Sequence, residues 1–231
     1  MGMFDGIKQR RAQKKYDALM QVYDTAMDAW NQADARIDGY LEAVQDCING
    51  KIDETFNDRD PRGFMLDSGE FPIAYIVGTG LLQVVRGPGR YEGGYGGVSF
   101  PLFGGIRGHV GGQRGQYVKG AESQTVTDSG ETMITNVRVM FRGDVRTEEW
   151  KFSKMMSMEH GAGGITVFSM SSKSKPSAIG YGEEVATEVQ FRLEIAAAFA
   201  RDTLPNLLAQ LKTEKAHHLE SKPVPPVAPS L

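Results

Sequence analysis

Between Gly130 and Phe152 the chain reads GETMITNVRVMFRGDVRTEEWKF, two alternating runs around a polar turn. In the first run, Thr132–Phe141, the apolar Met133, Val137, Val139 and Phe141 fall on one face of an extended chain. Asn136, Arg138 and Arg142 fall on the other. Alternation at period two with β-branched and aromatic residues marks a half-buried antiparallel strand. Arg142-Gly143-Asp144 carries turn chemistry, and Val145–Phe152 resumes the alternation. The pattern predicts a central β-hairpin. Trp150 and Phe152 alternate with Glu149 and Lys151, so their rings are expected to point into a core.

The segment before it has a different period. From Lys8 to Ile48 no proline occurs and only Gly39 interrupts. Tyr16, Leu19, Tyr23, Ala26, Trp30, Ala33, Ile37, Tyr40, Val44 and Cys47 recur at spacings of three and four, the signature of a helix packed along a seam. Met20, Met27 and Leu41 widen the stripe. Two readings follow: docking on the chain's own β domain, or self-association into an oligomer. A helix of about 60 Å outreaches a domain of about 14 Å radius of gyration. That favours a homo-oligomer with Tyr16, Leu19, Tyr23, Trp30, Ile37, Tyr40 and Val44 as its seam. Cys47 reads as a small apolar filler. The run Lys8, Arg10, Arg11, Lys14, Lys15 reads as a solvated helix start, with attraction to an anionic membrane as the alternative.

Asn49-Gly50 and the polar Asn57–Gly63 stretch end this helix. The chain therefore divides into a helix over 1–50, a linker over 51–69 and a β domain over 70–201. A short helix over 202–219 and a proline-rich tail over 220–231 follow. More than half of the 28 glycines lie between Gly78 and Gly130. Short strands are expected at Phe71–Val77, Leu81–Arg86, Val98–Leu102, Ile106–Val110, Gln116–Val118 and Ser123–Thr127, with glycines at bends. After the hairpin, Met155–Met158, Ile165–Met170 and Ser177–Tyr181 continue the pattern. Glu183–Ala200 reads as an amphipathic helix with Val185, Val189, Leu193 and Ala196 or Ala197 along its stripe.

Thr135-Asn136-Val137-Arg138-Val139-Met140-Phe141 and Gly143-Asp144-Val145-Arg146-Thr147-Glu148-Glu149-Trp150, with Phe152 and Lys154, resemble strands of bacterial pleckstrin-homology-like (PH-like) domains. Gly93–Phe100 looks like the segment before that core in actinobacterial and phage-encoded members. The resemblance spans about Glu70–Arg201. It implies an α+β chain: a long N-terminal helix, then a PH-like antiparallel β-barrel or sandwich closed by a C-terminal helix. It also implies an interaction module of the scaffold or adaptor kind, some members binding peptides and others lipid headgroups. Ser171–Lys175 departs from the polar signature many relatives carry there.

The chemistry of the residues points the same way. The chain contains neither a phosphate-binding G-x-x-x-x-G-K-[ST] nor a G-x-S-x-G nucleophile elbow. The near-match to G-x-G-x-x-G around Gly93–Gly97 lacks a following helix pattern. His109, His160, His217 and His218 have no metal-ligand spacing, and Glu148 and Glu149 point to opposite faces of a strand. No cofactor or metal is expected, and a catalyst is not. Net charge −3 with a pI near 5.9 argues against dedicated nucleic-acid binding. One cysteine excludes an internal disulfide. A cytoplasmic protein is the simplest fit, since the N-terminus lacks an apolar signal segment and Gly6 occupies the position where a myristoylation motif needs Ser or Thr. A protein or peptide partner is expected, with an anionic membrane surface as the alternative. Arg86, Arg90, Arg107, Arg114, Arg138, Arg142 and Arg146 are the candidate partner- or anion-binding residues, because Arg forks suit carboxylate and phosphate. Set against that, Arg138, Arg142 and Arg146, with Lys151 and Lys154, read first as solvated strand faces and cross-strand pairs with Glu148 and Glu149.

Overall fold

The computed structural model describes residues 3–56, 58, 60–86, 90–92, 98–101, 107–110, 116–118, 122–173 and 175–228. They form two compact units, Val44–Leu207 and Met1–Ala43 with Leu208–Leu231. Among the described residues no helix is long and apolar enough to cross a membrane.

In the larger unit the end of helix α1 (Met3–Ile48) is followed by one turn of helix, α2 (Ile52–Thr55). Strand β1 (Pro72–Arg86) comes next, then β2 (Arg90–Glu92), β3 (Val98–Pro101), β4 (Arg107–Val110) and β5 (Gln116–Val118). The chain continues through β6 (Glu122–Thr135), β7 (Arg138–Gly143), β8 (Thr147–Lys151), β9 (Met155–Gly161), β10 (Ile165–Met170) and β11 (Ser177–Gly180). Helix α3 (Ala186–Ala200) ends the unit, and α4 begins at Leu204 and runs to Glu220. Seven strands make one antiparallel sheet in the order β8-β7-β6-β1-β11-β10-β9. The chain is therefore α+β, as expected. The sheet is not closed into a barrel, because β8 and β9 are its two outer strands and do not pair.

Two sequence readings are corrected here. Phe71–Val77 and Leu81–Arg86 are one strand, bent at Gly78, whose φ of +68° only glycine adopts without strain. The register against β6 slips at that point, between Val77 and Thr79. The expected strand Thr132–Phe141 is conversely two. The Thr135 hydroxyl accepts hydrogen bonds from the N–H groups of Val137 and Arg138, at 3.1 and 3.0 Å. It thereby turns the chain at Asn136-Val137 and lets β7 pair back on β6. Met133 consequently faces Met140, and Ile134 faces Val139.

The β1–β6 pairing continues beyond the sheet. Arg86 faces Glu122, Arg90 faces Val118, Glu92 faces Gln116, Val98 faces Val110 and Pro101 faces Arg107. Each step outward is matched by one step back, so the strands expected as separate short elements share one register. β3 also lies close to β9.

The open sheet curls until its two ends share a core. Trp150 of β8 has no exposed surface, and its ring centroid lies 4.8 Å from that of Phe168 in β10. Its indole N–H donates to Ser177 Oγ in β11 at 2.8 Å. Phe141, Phe152, Ile134, Ile179, Leu193 and Ile195 are buried in the same unit. Helix α3 is buried on more than the single stripe the sequence predicts: Phe191, Ile195 and Ala198 join Val189, Leu193, Ala196 and Ala197, whereas Val185 is exposed. The extra face is covered by aromatic side chains, Phe199 meeting Phe56 and Phe71 edge-on at 6.4 and 5.5 Å. Val44, Cys47, Phe56 and Phe64, at the end of α1 and in the expected linker, are all buried.

In the smaller unit α4 runs antiparallel to α1. Lys215 bridges Asp34 and Asp38 at 2.7 and 2.8 Å, and farther along α4 His218 stacks on Trp30. Of the expected seam, Ile37, Tyr40 and Val44 are buried, Tyr16, Tyr23 and Trp30 are half-buried, and Leu19 is exposed.

Trp150→Ala should lower unfolding stability by about 3–5 kcal/mol, as large-to-small changes at fully packed aromatic sites do. Urea unfolding followed by far-UV circular dichroism measures it. A loss below about 1 kcal/mol would mean that Trp150 does not join the two ends of the sheet.

Candidate functional site

The segment before β1 folds back over the outer face of β6 and β7. Asp58 shapes its start, accepting hydrogen bonds from the Asp60 N–H at 3.2 Å and from the Arg62 guanidinium at 2.8 Å. Phe64 then drops into a small cluster with Met133 and Met140, with Leu66 and Tyr75 packed against it. Between this segment and β7–β8 lies a cleft of about 320 Å³, with Phe64, Met65 and Met140 on its apolar side and Arg138, Arg142 and Glu149 among its polar lining. Met65 is 90% exposed at its mouth.

Arg138 and Arg142, two of the sequence candidates, meet at this cleft. Neither presents a free fork. Arg138 Nε and Nη2 donate to the two carboxylate oxygens of Glu70 at 3.0 and 2.9 Å, Nη1 donates to Glu149 at 2.8 Å, and Nη2 also reaches the Met65 carbonyl at 2.8 Å. Glu70 is buried and receives further bonds from the Thr135 hydroxyl and the Asp67 N–H, both at 2.7 Å. Burial pushes the Glu70 carboxyl up. The bonds from Arg138, Asp67 and Thr135 outweigh it and hold the group below the usual carboxylate range. Arg138 is raised in turn, first by Glu70.

Arg142 is held in the same manner. Its guanidinium donates to Glu131, with Nε at 2.6 Å, and to the Arg62 carbonyl at 2.8 Å, and it lies 4.5 Å from the Phe64 ring centroid. The Tyr75 hydroxyl also donates to Glu131. Hydrogen bonds from Tyr75 and then Arg142 lower the Glu131 carboxyl. Arg146 is exposed near this end of the sheet, and its backbone N–H donates to Asp128 at 2.9 Å. Asp128 also accepts from the N–H groups of Ser129 and Val145 and so fixes the β7–β8 turn. A Cβ added to Gly143 would stand 2.3 Å from that carboxylate, which explains the glycine. Arg114 lies outside the described residues, as do the side chains of Arg86, Arg90 and Arg107. Glu70 and Glu131 are the functional residues that sequence reasoning missed. No local motif points to Glu70, 68 positions away from Arg138. The cross-strand partnership of Glu131 with Arg142 follows only once the turn is placed at Asn136-Val137.

A second polar array also escaped the sequence. His160 of β9 hydrogen-bonds through Nδ1 to the Thr166 hydroxyl at 2.9 Å and through Nε2 to Glu194 of α3 at 3.1 Å; Thr166 meets the Tyr181 hydroxyl at 2.8 Å. Carboxylate, imidazole and hydroxyl stand in the order of a nucleophilic triad. Thr166 has no exposed surface, however, so the hydroxyl is out of reach of a substrate and the array ties α3 to the sheet. Burial pushes the Cys47 thiol up to about 11, against a weaker pull from Thr55. Among the described residues no three His, Cys, Asp or Glu side chains converge to hold a metal ion. In comparisons with known proteins, no family model, curated protein or solved structure matches the chain.

Two outcomes follow from this geometry. Glu70 is lowered, so its contribution is present above its ordinary value of about 4.3 and is lost as pH falls through the folded value. Unfolding free energy should therefore decline below about pH 4.3, and Glu70→Gln should flatten that decline; an unchanged acid limb in the variant would contradict the assignment. Cys47 should resist Ellman's reagent at pH 8 in the native state and react fully in denaturant, because the thiolate is the reactive form. Rapid native labelling would show that the thiol is not held in the core.

Proposed function

We propose that the chain is a non-enzymatic interaction module, a PH-like domain of the scaffold or adaptor kind that binds a protein or peptide partner. The sheet supports the fold reading. In the seven-stranded sheet consecutive strands are neighbours from β6 to β8 and from β9 to β11, the first and last, β1 and β11, are neighbours, and a helix follows directly.

The observation that carries the partner reading is the saturation of Arg138 and Arg142. Guanidinium groups held by Glu70, Glu149 and Glu131 offer little charge to a phosphate or lipid headgroup, since an incoming anion must displace or repel those carboxylates. What stays open at the cleft is apolar: Met65 is 90% exposed. Apolar side chains rimmed by paired charges, here Met65 with Phe64 and Met140 beneath it, are the composition of a protein–protein contact. The outer edge of β8, which no described strand pairs, adds backbone donors and acceptors for an extended peptide.

A second reading rests on a separate observation. Arg10, Arg11, Lys14 and Lys15 are all exposed at the start of α1, with Leu19 and Val22 exposed farther along, which is the make-up of a membrane-surface helix. Affinity capture from the native host with wild-type chain, Met65→Glu and the distant Leu19→Glu separates the two. The partner reading expects proteins retained by the wild type and by Leu19→Glu but lost with Met65→Glu. Capture that is indifferent to Met65, together with low-salt flotation on anionic vesicles that Leu19→Glu abolishes, would replace it with the membrane reading.

A further inference from the structure

The smaller unit contains an aromatic ladder whose last rung, Trp30, meets the start of the proline-rich tail. Tyr16, Tyr23 and Trp30 repeat every seventh residue along α1, and Met20 and Met27 fall between them. All five are half-buried, while Leu19 and Val22 on the neighbouring face are 46% and 68% exposed. Helix α4 covers α1 only as far as Trp30. There His218 stacks on the indole at 4.6 Å, accepts its N–H at the backbone carbonyl at 3.1 Å and donates Nε2–H to the Trp30 carbonyl at 3.1 Å. Helix α4 ends two residues later, so it does not reach Tyr23 or Tyr16.

The tail starts beside the same indole. The Lys222 ammonium lies 5.2 Å from the Trp30 ring centroid, a favourable cation–π placement. Beyond it, Pro223 and Pro226 are half-buried, whereas Val224 and Val227 are 84% and 93% exposed. A spacing of three between covered residues is one turn of a polyproline II helix, so the tail lays one edge down and turns the others to water. The lengths agree: residues 222–228 extend about 22 Å at 3.1 Å per residue, and Tyr16 to Trp30 extends about 21 Å along a helix. The periods agree too, at about 9.3 Å per polyproline turn against about 10.5 Å between successive ladder aromatics.

We propose that the Tyr16–Tyr23–Trp30 face of α1 is a polyproline-binding surface. Its occupant is the chain's own tail. Proline fixes the ligand's backbone before binding, so little chain entropy is lost, and flat rings accept the proline edges without a hydrogen-bond pattern. The resident tail is tethered, so an external segment competes against an effective concentration on the order of a millimolar. The reading is independent of the cleft and of the β unit.

The test uses the full chain and a synthetic peptide of residues 221–231, followed by tryptophan emission; Trp150 is fully buried and supplies a constant background. Pro223→Ala/Pro226→Ala should shift Trp30 emission to the red, while Val224→Ala/Val227→Ala should not. Added peptide should reverse the red shift in the proline variant and leave wild-type emission unchanged, because the tethered tail already fills the face there. The same peptide with both prolines replaced by alanine should do nothing. A proline variant with unshifted emission, a peptide without effect on it, or equal action of the proline-free peptide would overturn the proposal.

Discussion

A buried carboxylate with a bidentate arginine determines what the outer face of this sheet can do. Glu70 has a fully covered side chain, and such a charge is stable only if it is paired and its remaining lone pairs are filled. Arg138, Thr135 and the Asp67 N–H supply those bonds. The same arginine continues to Glu149 and the Met65 carbonyl, so one side chain links β7, β8 and the segment before β1. That link holds Phe64 over Met133 and Met140 and shapes the cleft. Thr135 ties the network to the fold as well, since the hydroxyl that donates to Glu70 also accepts the N–H groups that turn β6 into β7.

On the opposite side of the sheet the organising contact is apolar. Trp150 sits on an outer strand and yet touches Phe168 and Ser177 near the other end of the strand order. An open sheet can bury both ends in one core only by curling, and the bend at Gly78 in its longest strand provides the curl. The helix α3 then lies in a site walled by the sheet and by Phe56 and Phe71, which is why it is apolar over most of its circumference.

How much of this was legible in the chain depended on whether the signal was local. The alternation around Trp150 and Phe152 placed both rings in the core, where they are. The three-four stripe located a long helix, although Met20 and Met27 are half-buried where Leu19 is exposed, so the shielded face is offset from the seam the spacing marks. The turn at Asn136-Val137 was hidden because both residues continue a clean alternation; the deciding group is a threonine hydroxyl, which composition does not mark. The register that the outer part of β1–β6 shares with β2–β5 and β3–β4 was hidden by glycines that read as bends. Glu70 was unreadable for a simpler reason: an arginine's partner across 68 positions is set by tertiary geometry alone. Sequence therefore identified which arginines gather near the hairpin and one partner, Glu149, which Arg138 meets, while Glu70 and Glu131 stayed hidden.

The double-mutant cycle between Glu70 and Arg138 tests this account most directly. Stabilities of wild type, Glu70→Gln, Arg138→Met and the double variant, from urea unfolding at neutral pH, give the coupling free energy. An internal clamp predicts a coupling of about 1.5 kcal/mol or more, with the double variant clearly less destabilised than the sum of the singles. Additive effects within about 0.5 kcal/mol would mean that Arg138 is not held by Glu70, returning its guanidinium to the cleft as a site for anions.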